Sequence, residues 1–162
     1  MAKLEKIPKR KFTYLWEESY LAMVKNSVGT KMFRNFFVKD EHGKRLDILN
    51  DGDVSCALFV SYILKNFKLI SDLHFTVTKV IEDFEQNGWK KVKPSQLKVG
   101  DVILWLHYKT RTSHHRHLGF YIGDEQAVSN NSQKRAVIQH HYTYSGKRDI
   151  VEVYRPNWKL LK

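Results

Sequence analysis

The sequence predicts an α+β fold, with N-terminal helices packed on an antiparallel β-sheet of about five strands. Three observations lead there. Apolar residues recur at helical spacing only in the first half of the chain. Alternating runs rich in Val, Ile and aromatic residues crowd the second half. The two patterns follow one another and do not alternate, which argues against the βαβ order of a parallel sheet.

Residues 1–13 read as a basic, flexible tail and 14–162 as a single domain. From Tyr14 to about Lys25, the residues Leu15, Trp16, Tyr20, Met23 and Val24 recur at helical spacing. Residues 26–52 are polar and read as irregular. Asn50-Asp51-Gly52-Asp53 is a turn signal. A helix then covers about Cys56 to Asn66, and Asp53 and Ser55 are both placed to cap it with a short side-chain oxygen. A further helix runs from about Thr76 to Asn87, with Val77, Val80, Ile81 and Phe84 on one face and Gly88 at its end. After a connector from Pro94 to Gly100, strands are expected at about 101–107, 117–123, 135–141 and 149–154.

The chain of 162 residues is 42% hydrophobic, enough for one domain with a real core. No run of ~18 apolar residues suggests a transmembrane segment, and no apolar stretch follows the basic N-terminus as a secretory signal would require. The expectation from this is a cytoplasmic protein, with association with a cell wall open to it by another export route. The net charge of +11 draws the molecule to anionic polymers.

Cys56 is the only cysteine, so no internal disulfide forms. It stands at a helix start, where free N–H groups and partial positive charge favour a thiolate. His117 opens a later strand, His117-Leu118-Gly119-Phe120-Tyr121-Ile122-Gly123. A thiol and an imidazole brought together make a nucleophile and its base. The backbone N–H groups of Ser55 and Cys56 are candidate oxyanion donors. A third polar group normally orients the histidine, and Ser129, Asn130 and Asn131 are the candidates.

Plainer readings stand beside these. A lone cysteine is often an inert core residue. Trp105 and Trp158 read as packing residues, and Asp101 as a turn residue and not a catalytic acid. His114, His115 and His117 cluster, but no carboxylate or cysteine sits at ligand spacing and Arg116 opposes a cation, so neither a metal nor a cofactor is expected. His140 and His141 are adjacent on a strand and so point to opposite faces, one expected buried and one exposed; one of them is a weaker candidate for orienting substrate.

Four segments together resemble the NlpC/P60 cysteine peptidases. Cys56-Ala57-Leu58-Phe59-Val60-Ser61-Tyr62 is similar to that family's Cys-Ser-Gly-Phe-Val-x-Tyr helix. Gly100-Asp101-Val102-Ile103-Leu104-Trp105 is similar to its Gly-Asp-Leu-Val-Phe-Phe strand. His117 to Gly123 is similar to its His-Val-Gly-Ile-Tyr-Ile-Gly strand, and Val153-Tyr154-Arg155-Pro156 to its last strand. The resemblance covers about residues 50 to 156. It implies a papain-like fold, Cys56 as nucleophile and His117 as base. It places the third polar residue about a dozen positions after the histidine, at Ser129 or Asn130; serine is an unusual orienter, so Asn130 is preferred.

The chain departs from the family in places. Ser55 replaces the usual Asp before the cysteine, with Asp53 two positions earlier. Ala57-Leu58 replaces Ser-Gly, and Met32 and Phe33 are the nearest counterparts of an upstream aromatic that lines the substrate site. Asp53, Ala57 and His115 are taken as substrate-binding candidates. The implied activity is cleavage of amide bonds, with a peptide or peptidoglycan stem peptide as substrate, often next to D-glutamate. Two alternatives are kept: a papain-like acyltransferase or lipid hydrolase, for which Leu58 near the nucleophile would suit an acyl chain, and a non-enzymatic module that binds polyanions.

Overall fold

A computed structural model describes residues 12–106 and 116–161. Most of the expected tail, the end of the first predicted strand and His114-His115 lie outside them. Three helices come first: α1 (Trp16–Asn26), α2 (Cys56–Asn66) and α3 (Val77–Gln86). Between α1 and α2 stand two short strands, β1 (Phe37–Lys39) and β2 (Arg45–Asp47). After α3 come β3 (Lys90–Val92), β4 (Val102–Leu106), β5 (Arg116–Gly123), β6 (Gln126–Asn131), β7 (Ala136–His141) and β8 (Ile150–Arg155).

Among the described residues the main sheet has six antiparallel strands in the order β3-β8-β4-β5-β6-β7, one more than the five expected, and β1 pairs with β2 in a separate hairpin. The α+β class follows directly. The segment 26–52 is not irregular throughout. Its two strands hide from a periodicity reading because each has three residues and none of the six is buried. Strand β6 escaped separate notice because the β5–β6 turn is Asp124-Glu125. Both residues are left-handed, at φ 50° and 57°, as a tight two-residue hairpin demands, yet they lack the usual Asn-Gly signature.

Helix α1 buries a narrower stripe than expected. Tyr20 and Val24 are buried, while Leu15 and Met23 are exposed. The Tyr20 hydroxyl donates to the Gly100 carbonyl at 2.9 Å and so anchors the helix to the turn that feeds β4. Helix α3 begins at a true cap, with the Thr76 hydroxyl accepting from the Lys79 N–H. The Phe84 ring stacks on Trp89 at 4.1 Å, and the Trp89 indole donates to the Leu69 carbonyl.

The sheet separates two apolar layers. On the helix side Leu104, Leu118, Phe120 and Val128 pack with Phe59, Val60 and Ile63 of α2. On the other side Ile103, Trp105 and Ala127 form a smaller cluster flanked by Tyr121, Tyr142 and Tyr144. Strand alternation divides the residues this way, with even-numbered positions of β5 and β6 facing α2 and odd-numbered positions facing Trp105. Asp101 is structural: its buried carboxylate receives the Arg155 guanidinium through two bonds and the Lys98 N–H through a third. Among the described residues, no helix is long and apolar enough to cross a membrane.

Candidate active site

The turn before α2 is built to hold the first residue of that helix in place. Asn50, Asp51 and Gly52 are all left-handed, at φ 48°, 56° and 92°. Asn and Asp tolerate that region better than other residues with a side chain, and glycine enters it at no steric cost. Gly52 is needed for a second reason: a Cβ there would stand 3.1 Å from Arg135 Cβ and 3.3 Å from Arg34 Cγ. The Asp51 carboxylate is held between Arg34 and Arg135, and the hydrogen bond from Arg34 keeps it below the ordinary carboxylate range.

Ser55 occupies the cap position of α2, but its side chain caps nothing. Its backbone is already helical, and its buried hydroxyl has no hydrogen-bond partner among the described residues. Asp53 is exposed and does not cap either. The capping expected of these two residues is therefore absent. Asn130 and the Asp51 clamp brace the turn instead.

Cys56 is half-buried at the first position of α2. Burial is the strongest influence on its thiol and pushes it above the ordinary value. The backbone N–H groups of Leu118, Ala57 and Cys56 itself, and the positive charge of Arg148, pull in the other direction without reversing it. The residue is open to a cavity on one side, which lets solvent moderate the penalty. A helix terminus by itself implies a net lowering, and the desolvation of the sulfur outweighs it.

Cys56 and His117 line one cavity of about 450 Å³. Asp53, Ala57, Asn130 and Asn131 border it too. So do residues that sequence reasoning missed: Phe75, Thr76 and Val77 at the start of α3, Arg116, and Tyr144 with Arg148 from the β7–β8 connection. Tyr144 and Arg148 sit in a turn with no periodicity to mark them; only their aromatic and basic character was visible. The Arg148 guanidinium lies over the Tyr144 ring at 4.0 Å. Among the described residues, no group of three His, Cys, Asp or Glu side chains is arranged to hold a metal ion.

The structure places the two candidates for the third polar position on opposite faces of β6. His117 pairs with Trp105 across β4–β5, and its ring centre lies 5.7 Å from that indole, so it belongs to the Trp105 face. Ser129 shares this face. Asn130, the residue preferred from sequence, points to the α2 side, where its amide donates to the Gly52 carbonyl at 3.0 Å. Adjacent strand residues cannot share a face, so Asn130 braces the cysteine turn while Ser129 stays on the histidine's side of the sheet.

Ser129 is fully buried. Its Oγ lies 2.8 Å from His140 Nε2 and 3.0 Å from the Tyr144 hydroxyl. His140 and His141 do face opposite ways, but both are half-buried; His141 Nδ1 accepts from Thr143 in its own turn. Phe33 packs against Phe59 and Tyr62 and serves the core, whereas Met32 is exposed. Leu58 is likewise buried in the core layer, which removes it as a wall for an acyl chain.

Comparison with known proteins identifies the fold and the family. The family model described as NlpC/P60 matches residues 42–155. No curated protein sequence matches the chain. Among solved structures, NlpC2 from Trichomonas vaginalis is similar with a TM-score of 0.55 at 16% identity, over 94% of this chain and 50% of that one. A protein described as similar to a lipoprotein of the NLP/P60 family, from Staphylococcus aureus, is similar with a TM-score of 0.53 at 9% identity, over 94% and 45%. The chain thus spans about half the length of the solved structures it matches. Because the family match runs through both the helix that opens on Cys56 and the strand that carries His117, the chain belongs to the NlpC/P60 family, whose members are generally cysteine peptidases or amidases.

Proposed function

We propose that the protein is a cysteine hydrolase that cleaves an amide bond in peptidoglycan stem peptides. The observation that carries this reading is the cavity bordered by both Cys56 and His117. The Cys56 proton passes to the His117 imidazole, and the sulfur attacks the substrate carbonyl carbon. The negative charge that develops on the carbonyl oxygen is met by backbone N–H groups at the start of α2, with Ser55 and Cys56 as donors. The C–N bond breaks as His117 returns the proton to the leaving amine. Water then attacks the thioester, His117 takes its proton, and the acid product leaves with the thiol restored.

The cavity favours an anionic peptide. Arg116 and Arg148 line it beside Asp53, which suits a substrate bearing carboxylates and one cationic group. Asp53 and Ala57 border the nucleophile and are assigned to substrate contact.

The test is hydrolysis of purified disaccharide-peptide fragments of peptidoglycan, followed by mass spectrometry. Release of a new amine is expected from the parent protein. Cys56→Ala and His117→Ala should each lower it by on the order of 10³-fold or more. Equal turnover in the parent and both variants would remove the proposal.

A further inference from the structure

We propose that His140, acting through the Ser129 hydroxyl, is a positioning residue for His117. The inference rests on the reading of His117 as the base for Cys56. It gives the role usually held by one orienting side chain to a pair drawn from two adjacent strands.

The direction of the hydrogen bonds follows from one fixed contact. His140 Nδ1 lies 2.9 Å from the backbone carbonyl of His141. A carbonyl only accepts, so Nδ1 carries the proton. In the neutral ring Nε2 is then an acceptor, and the partner it faces at 2.8 Å is Ser129 Oγ. The serine hydroxyl must donate to His140. Its lone pairs are left to receive donors from elsewhere, and one is placed to receive the Tyr144 hydroxyl at 3.0 Å. Burial, with Arg148 and His141 nearby as opposing charges, pushes His140 down to about 4, so the ring stays neutral where the enzyme would work and the tautomer holds.

The strand register sets Ser129 beside His117 on one face of the sheet. Strands β5 and β6 pair Phe120 with Val128 and Tyr121 with Ala127. Continued by one step, that register sets Ser129 opposite Gly119, two residues along the same face from His117. Ser129 and His117 are diagonal neighbours across the ladder. Gly119 makes the approach close: a Cβ there would lie 2.7 Å from Ser129 Cβ and 3.0 Å from Trp105 Cζ3. The two imidazoles also share two aromatic neighbours. The Trp105 ring centre lies 5.7 Å from His117 and 5.6 Å from His140, and Tyr144 lies 6.4 Å from the first and stacks on the second at 3.9 Å. Full burial excludes Ser129 as a second nucleophile, because no substrate carbonyl can reach it.

The test reads His117 itself. Long-range ¹⁵N–¹H spectra report its tautomer, and iodoacetamide alkylation between about pH 5 and 9 reports the thiolate of Cys56. Ser129→Ala and His140→Phe should both shift the His117 nitrogen signals and slow alkylation at neutral pH on the order of tenfold, the scale of one lost hydrogen bond. His140→Gln should restore part of the rate, since its amide oxygen can accept from Ser129. The double variant should be no slower than either single one. Unchanged His117 signals and parent-like alkylation in both single variants would overturn the relay. Ser129→Ala removes one oxygen, so it keeps the test open if His140→Phe fails to fold. Indifference of alkylation to His117→Ala would instead sink the thiol–imidazole reading, and the relay with it.

Discussion

The Asn130 side-chain amide donates to the Gly52 carbonyl at 3.0 Å and ties strand β6 to the turn that precedes the thiol. Asn130 is almost fully buried, and Gly52 is left-handed with no room for a side chain. The bond therefore joins two positions that cannot easily adjust. Cys56 starts its helix four residues beyond it.

Asn130→Ala should cost about 1–2 kcal/mol of stability, because the buried Gly52 carbonyl loses its donor. Urea unfolding measures that. If Asn130 only braces the turn, the pH midpoint of Cys56 alkylation should stay with the parent in this variant, although the rate falls. A shifted midpoint would return Asn130 to the role of histidine orienter.

Gly119→Ala adds a single methyl where β5 leaves no space against Ser129 of β6. It should destabilise the protein by about 1–3 kcal/mol through overpacking and separate Ser129 from its place beside His117. Thermal unfolding and peptide hydrolysis should both decline. A variant of parent stability and activity would show that the two strands have slack at this point.

Stability should fall as the solution is made acidic, and His140 should account for much of the fall. Its folded value of about 4 lies below the ordinary 6.5. Below 6.5 the unfolded chain takes up a proton that the folded chain refuses. The contribution is complete above about pH 6.5, is lost as the pH drops toward 4, and then levels off. The full loss is on the order of 3 kcal/mol. Denaturant titrations at pH 7 and pH 4.5 should differ less in His140→Phe than in the parent; equal differences would contradict the assignment.

Arg148→Gln removes a positive charge that favours the thiolate of Cys56. The thiol should titrate higher, and alkylation at neutral pH should slow by up to about tenfold. Added salt should narrow the gap between the two proteins. Unaltered titration would mean that solvent already screens this pair.

Much of the frame was legible in the chain. Helix α2 began at Cys56 and ended at Asn66 as its apolar spacing required, and α3 lay within one residue of its expected limits at each end. Strand β8 was marked by its alternation. Short elements escaped, because three exposed residues have no pattern to show. The pairing of Cys56 with His117 around one cavity was inferred from types and order alone. The different faces of Ser129 and Asn130 were not legible for a definite reason. Once a segment is known to be a strand, parity decides which neighbour faces which side, and β6 was not recognised as a strand of its own. Read along β7, His140 is one of an adjacent pair; its contact with Ser129 comes from the strand beside it.

The seam between α2 and β5 also makes the single sulfur a built-in gauge of how well the molecule holds together. A thiol reagent small enough to enter the cavity reaches Cys56 with α2 docked, whereas one too bulky for the cavity must wait until α2 lifts from Leu118, whose N–H reaches the sulfur only while helix and sheet are docked. The rate at which bulky thiol reagents react, compared with small ones, would therefore read the opening of this one seam. In most proteins several cysteines blur such a signal. Here the chain carries one, at the joint where its two layers meet.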